Sequence, residues 1–154
     1  MSAPGQPVRD ARAMIAAMEP ALDPATYRFC TCADPARAAE AAARALATFR
    51  EDEGLSLVLA VAEARDMGFP DGPAMRRITL TVHSALDGVG LTAAVSEALA
   101  ARGIACNVVA AFHHDHLFVP EIHADEAMEA LSALQRAARA GQPPPPRSAS
   151  ISGA

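Results

Sequence analysis

The sequence contains no lysine, so all 13 of its basic residues are arginines. Arg76 and Arg77 are adjacent, but no basic stripe runs along any segment of the chain. Proteins that bind nucleic acids normally carry such a stripe, whereas the formal net charge here is −5. The composition therefore argues against a nucleic-acid partner.

Long apolar runs are also missing. No segment approaches the roughly 20 apolar residues that a bilayer crossing requires, and the first residues lack the layout of a signal peptide. Cysteine is scarce, because Cys30, Cys32 and Cys106 are the only three. An odd number without a secretion signal favours free thiols in a reducing compartment. We therefore expect a cytoplasmic chain with no membrane partner.

Proline, glycine and small polar residues mark both ends of the chain. Residues 1–10 and 141–154 lack the apolar periodicity of packed elements, so we expect both segments to be disordered. The chain between them divides into an N-terminal subdomain at 11–75 and a C-terminal subdomain at 76–140.

The second half shows a clear alternation of strands and helices. Ile78, Leu80 and Val82 alternate with polar residues, which is typical of a half-buried strand. An apolar helical stripe begins at Leu91, and two short apolar segments and a further helix follow. The resulting order, β-α-β-β-α, is a ferredoxin-like βαββαβ unit without its last strand.

The first half shows a blurred version of the same order. Met14, Ile15 and Met18 have helical spacing before Pro20, and an alanine-rich helix is predicted from Asp34 and Pro35, a capping residue and a first-turn proline, to about Ala47. Two such halves can lend each other the missing strand. We therefore predict an α+β fold in which two ferredoxin-like halves lie side by side and share one antiparallel sheet.

Two glycines precede the helix of the second half, in the segment LDGVGLTAAV. Glycine allows positive φ and close approach of a ligand, and the free amides at a helix start favour a carboxylate or phosphate. Asp87 can neutralise an ammonium group, so an amino acid fits this turn better than a nucleotide does. Alternatively, Asp87 caps the helix and Gly88 and Gly90 only form the turn. His83 either bonds to a ligand carboxylate or caps the preceding strand.

Asn107 lies within the apolar segment IACNVVAAF, where asparagine has low strand propensity. We expect its amide to be buried, and a buried amide needs hydrogen-bond partners. These partners are either backbone groups at a strand end or a ligand beside the strand. The second interpretation places Asn107 near the glycine turn.

The segment TVHSALDGVGLTAAVSEALAARGIACNVVAAFHHDHLFVP, with FREDEGLSLVL upstream, resembles small uncharacterised bacterial proteins that have an ACT-like domain. The resemblance covers roughly Tyr27 to Leu134 and implies two ACT-like halves, which pair through sheets or helices and bind an amino acid at an interface. Val89 stands where the general ACT loop usually has a proline. The ligand site that the resemblance implies consists of Asp87, Gly88, Val89, Gly90, Leu91, Asn107 and Val108.

Three histidines and an aspartate fill residues 113–116. With His114 and Asp115 as a two-residue hairpin turn, His113 and His116 become cross-strand neighbours that are close enough to share a metal ion. The resembling family has His114, Asp115 and His116 but a tyrosine in place of His113, so a closed zinc site is poorly specified. A hairpin tip or a subunit contact explains the same residues.

We predict no catalysis and no cofactor. His83 and Ser84 are adjacent on a strand and point to opposite faces, so they do not form a nucleophile and base pair. The first hypothesis is a regulatory sensor of an amino acid or similar metabolite. The alternatives are a ligand-free interaction module and a metal-binding protein that uses His114 and His116.

Association with a second copy is expected under the first two hypotheses, as a homodimer or a higher homo-oligomer. Arg50 precedes the acidic turn of FREDEG, which is either simply an exposed acidic turn or the place where Arg50 forms a salt bridge at the junction of the subdomains. The residues predicted for the interface are Arg50, His114, Asp115 and His116.

Overall fold

The computed structural model describes residues 10–82 and 88–141. The predicted disorder of the two ends therefore falls, apart from Asp10 and Gly141, on residues outside the described ranges. The elements are, in chain order, α1 (Ala11–Ala17), β1 (Pro20–Cys32), α2 (Pro35–Ala42), β2 (Ala47–Glu51), β3 (Gly54–Ala60), α3 (Val61–Asp66), β4 (Met75–Leu80), α4 (Leu91–Ala100), β5 (Asn107–Ala110), β6 (Asp115–Pro120), a 3₁₀ turn (Glu121–His123) and α5 (Ala124–Ala140).

Six strands form one sheet in the order β2-β3-β1-β4-β6-β5. The elements from β1 to β4 read βαββαβ along the chain, and those from β4 to α5 read βαββα. In the sheet, β1 lies next to β4, where the missing last strand of the second half belongs. The predicted ferredoxin-like fold, with strands lent between the halves, is confirmed.

The chain forms two compact units, and the first of them is not contiguous in sequence. One unit combines residues 1–22 with 78–154, and the other is Asp23–Arg77. Helix α1 belongs to the first unit because Met14 and Met18 are buried in the same core as residues of α4 and α5. The division at 11–75 and 76–140 stays a prediction about the repeated halves of the sequence.

The unit Asp23–Arg77 packs α2 and α3 against leucines of β3. As predicted, α2 starts at Asp34, whose Oδ1 accepts the N–H of Arg37 at 2.8 Å, with Pro35 in the first turn. The predicted end near Ala47 is wrong, because α2 ends at Ala42 and Ala47 begins β2 opposite Val58. Strand pairing here outweighs the helix propensity of alanine.

The other unit packs α1, α4 and α5 against one face of its strands. Ile78, Leu80 and Val82 are buried on that face, which confirms the predicted alternation. Val95 of α4 and Leu131 of α5 are fully buried against them. Within the described ranges, no helix has both the length and the apolar character that a membrane crossing requires.

The β5–β6 hairpin turns at residues 112–113, not at 114–115. The Ala111 N–H donates to the carbonyl oxygen of His114 at 3.1 Å, and Asp115 is already part of β6. The predicted turn is therefore wrong, and no described non-glycine residue adopts the positive φ on which it relied. Phenylalanine is not typical of a hairpin turn, so the sequence did not indicate a turn at Phe112. In the structure Phe112 lies in the turn and is 78% exposed.

Candidate functional site

The glycine turn is described from Gly88 onward, and the predicted site residues His83 and Asp87 lie outside the described ranges. Gly90 precedes α4 with φ of 107° and ψ of −19°, a conformation that is open mainly to glycine. A Cβ atom at this position would lie 2.8 Å from the Cβ of Ala11 in α1. Both the backbone conformation and the packing against α1 therefore require glycine at this position.

Helix α4 begins without a hydrogen bond from a capping side chain among the described residues. Helices α1 and α2 start differently, because Asp10 caps α1 and Asp34 caps α2, each through a hydrogen bond of 2.8 Å. Helices α3 and α5 resemble α4 in having no side-chain cap hydrogen bond. The first-turn N–H groups of α4, from Leu91 onward, face the turn, where Val89 is 81% exposed. Such a helix start can accept a carboxylate or a phosphate.

Asn107 lies far from the end of β4 that leads to this turn. Its Cα pairs with that of Phe118, whereas His114 Nδ1 lies 3.4 Å from the carbonyl oxygen of Val82. Phe118 and His114 are four residues apart, so Asn107 and Val82 are separated by roughly 13 Å along the strand direction. The expected burial is also wrong: Asn107 is exposed because β5 is a short edge strand, while Val108 packs against the core.

The histidines lie at the end of the sheet from which the chain continues to the glycine turn. The Nδ1 atom of His116 is 3.0 Å from Oγ1 of Thr79 in β4. His113 is exposed in the hairpin turn, where its ring packs edge-on to that of Phe112 at 4.9 Å between centroids. His116 pairs with Val109 across the ladder, so the predicted pairing of His113 with His116 is wrong.

The part of the chain that the structure describes has no group of three or more histidine, cysteine, aspartate or glutamate side chains arranged to hold a metal ion. Burial raises the pKa of Asp115, against the weaker opposing effect of His116 and His114. Burial also raises the pKa of the Cys106 thiol to about 11.

The unit Asp23–Arg77 has a cleft of its own between α2 and β2. Its volume is about 470 Å³, and its walls include alanines of α2 together with Thr48 and Arg50 of β2. The first turn of α2 is already capped by Asp34, and the lining of the cleft carries both a cation, Arg50, and a carboxylate, Glu51. The sequence signal for the cleft was the alanine-rich helix, whose small side chains leave space beside β2. The predicted salt bridge of Arg50 stays a prediction.

Asp23 forms the centre of a partly buried polar cluster that the sequence did not reveal. Its carboxylate accepts hydrogen bonds from the Tyr27 hydroxyl at 2.9 Å, the Ala25 N–H at 2.8 Å and the Arg77 guanidinium. Burial would raise the pKa of Asp23, but these hydrogen bonds lower it further than burial raises it. The cluster links β1 to β4 within the unit, so its role is structural.

Two family models match the chain, and both describe an ACT domain. The first model matches residues 6–76 and the second matches residues 76–133. No protein of curated function matches the chain.

Solved structures with the same fold include proteins of unknown and of known role. A Vibrio cholerae protein of unknown function, described as a possible transport protein, is 39% identical with a TM-score of 0.71, covering 80% of this chain and 94% of that one. An Agrobacterium tumefaciens protein is 21% identical with a TM-score of 0.63, covering 77% and 89%. The ligand-free regulatory subunit of aspartate kinase from Thermus thermophilus is 12% identical with a TM-score of 0.57, covering 77% and 98%. The last two are similarities of fold.

Proposed function

The chain belongs to the ACT-domain family, a family of regulatory modules for small ligands, and from this premise we propose that it is a non-catalytic sensor of an amino acid or similar small metabolite. The observation that carries the proposal is the start of α4, which follows Gly90 and has no described side-chain cap. In this proposal the chain acts in the cytoplasm, consistent with its three free cysteines.

The ligand carboxylate binds the first-turn N–H groups of α4, in front of Gly88 and Val89. No described side chain caps these groups, and the positive end of the helix dipole favours a negative charge there. The matching turn of the other half is a poorer site, because the Asp34 carboxylate already occupies the start of α2.

The remaining parts of the proposed site follow from charge and distance. Asp87 is assigned to the ligand ammonium group and His83 to a second hydrogen bond with the carboxylate. Asn107 and Val108 are too far along the sheet, by roughly 13 Å, to serve the turn of their own chain. We therefore assign them to a ligand held by the turn of a second copy.

A thermal-shift screen of the twenty amino acids at millimolar concentration tests the proposal. A ligand at ten times its Kd stabilises the folded state by about 1.4 kcal/mol, which raises the Tm of a chain of this size by about 3–6 °C. The absence of a shift with every amino acid would refute the amino-acid form of the sensor.

A pair of matched variants tests the location. Val89→Glu places a carboxylate in front of α4, where it competes with the ligand, so the shift should disappear. Ile122→Glu makes the same kind of change at a position that is 86% exposed in the 3₁₀ turn, and the shift should remain. If Val89→Glu binds as well as the unchanged protein, the ligand does not occupy the glycine turn.

The alternative function is that of a ligand-free interaction module, and one observation favours it. Phe49 is 72% exposed on β2, at the edge of the sheet. This alternative predicts an association that no metabolite alters, whereas the sensor predicts that its ligand changes the association constant.

A further inference from the structure

Arg28 is a charged residue on the core side of a strand. It lies in β1 directly opposite Leu59 of β3, and residues opposite each other share a face of the sheet. Leu59 is fully buried in the core of the unit Asp23–Arg77, and the Arg28 side chain is only 5% exposed. Within the described ranges, Arg28 is the only polar or charged residue that is buried. An apolar side chain of similar size would fill this place at a lower cost in desolvation.

The segment 67–74, which connects α3 to β4, supplies the partners of Arg28. Its Nη1 donates to the carbonyl oxygen of Pro70 at 3.5 Å and lies 3.0 Å from Oδ1 of Asp71. The Asp71 side chain is 85% exposed, so water solvates it and the ion pair stabilises the fold little. Nε of Arg28 is buried without a hydrogen-bond partner among the described residues. The guanidinium therefore keeps much of the desolvation cost of a buried charge.

We propose that Arg28 is the centre of a second binding site, for a small oxyanion such as phosphate or a carboxylate, and that the Asp71 carboxylate occupies this site when no such anion is bound. The guanidinium binds both classes of oxyanion through the same planar array of N–H groups. The bound anion takes the position of the Asp71 carboxylate at Nη1 and also accepts a hydrogen bond from Nε. The site lies within one unit and is separate from the glycine turn.

The residues that cover Arg28 are placed to move aside. Pro70, Asp71, Gly72 and Pro73 are all exposed and belong to no helix or strand. The two prolines have no N–H that could tie the segment down by backbone hydrogen bonds. Gly72 lies beside the stem of Arg28, since a Cβ there would be 3.8 Å from Cδ of the arginine, but glycine has no side chain to anchor the segment. Segments with few buried contacts open at a low free-energy cost, so Asp71 can give way to another anion.

Titration of the full chain with inorganic phosphate, followed by ¹⁵N NMR at low ionic strength, tests the proposal. The signals of the Gly72 amide and the Arg28 Nε–H should shift together, with a Kd on the order of millimolar. Asp71→Asn keeps the shape of the side chain and removes the competing carboxylate, so it should bind phosphate roughly tenfold more tightly.

Asp66→Asn is the matched control. Asp66 is also an exposed carboxylate in an ion pair, but its partner Arg44 is 40% exposed, whereas Arg28 is 5% exposed. The substitution changes the net charge by the same amount as Asp71→Asn does. Because Arg44 is already solvated, Asp66→Asn should change the phosphate Kd less than about twofold.

Two further variants test the role and the location of the site. Arg28→Met should abolish the phosphate response of Gly72 without lowering the Tm, because it replaces a buried charge with an apolar side chain and leaves Asp71 solvated. Val89→Glu, which blocks the start of α4, should leave the phosphate Kd at Gly72 unchanged. The same titration with acetate distinguishes the ligands: a shift with both probes supports a general oxyanion site, and a shift with phosphate alone supports a phosphate site.

Several results would overturn the proposal. Equal tightening in Asp71→Asn and Asp66→Asn would assign the effect to net charge alone. A Gly72 response that persists in Arg28→Met would place the anion elsewhere, and a lower Tm in that variant would make Arg28 a structural residue. Asp71→Asn folds independently of these outcomes because its side chain is exposed, and the absence of any phosphate response in it would remove the site.

Discussion

Replacing Gly90 with alanine should destabilise the unit that contains α1 and α4 by about 2–4 kcal/mol. The left-handed conformation with φ of 107° costs a residue with a Cβ about 1–2 kcal/mol. The new Cβ would also lie 2.8 Å from the Cβ of Ala11, and such overpacking typically costs about 1–3 kcal/mol. The reduced entropy of the unfolded chain offsets about 0.4–1 kcal/mol of this loss.

Gly103→Ala separates the two contributions. Gly103 also has a positive φ, of 70°, but a Cβ there would have no neighbour within 4 Å. This variant therefore carries the backbone strain without the steric clash, and we expect a loss of about 1 kcal/mol. The difference between the two variants measures the packing of the turn against α1.

The double variant Gly90→Ala with Ala11→Gly removes the clashing Cβ from the other side. We expect a favourable coupling of about 1–3 kcal/mol in a double-mutant cycle, apart from the cost of glycine in α1. Urea unfolding followed by circular dichroism gives each free energy of unfolding. The prediction is contradicted if Gly90→Ala lowers the free energy of unfolding no more than Gly103→Ala does. It is also contradicted if adding Ala11→Gly to Gly90→Ala restores none of the lost stability.

Two further predictions concern ionisable groups. Asp23→Asn should lower the free energy of unfolding by about 1.5–3 kcal/mol at pH 7. Because folding lowers the pKa of Asp23, its contribution is present above the unfolded pKa of about 3.9 and is lost as the pH falls through the folded value. The urea midpoints of the two proteins should therefore converge below about pH 4, and a constant difference would contradict this role. Cys106 is partly buried and has a thiol pKa of about 11, so it should react with iodoacetamide slowly at pH 8 in the folded protein and rapidly in urea. Equal labelling in both states would contradict this partial burial.

Much of the fold follows from patterns between near neighbours in the sequence. The alternation of Ile78, Leu80 and Val82 predicts a strand with one buried face, and Asp34 with Pro35 predicts the start of α2. The glycine at position 90 marks a turn before α4. These features depend on periodicity and capping within a few residues, so one sequence is enough to recognise them.

Other features depend on which strands meet. The sequence places Asn107 in a strand, but its exposure follows from the position of β5 at the edge of the sheet. The position of the hairpin turn and the distance from Asn107 to the glycine turn both follow from the pairing of β5 with β6. Neither can be predicted from local strand propensity.

The sequence by itself therefore determined the two ferredoxin-like halves that lend each other a strand, and the glycine turn. Both follow from the order and spacing of residues that are near neighbours in the sequence. Only the tertiary structure decided that Gly90 packs against Ala11, that α4 starts without a described side-chain cap, and that Phe49 is exposed at the edge strand β2. Each of these depends on contacts between residues far apart in the chain, and such contacts arise only when the sheet and its helices assemble.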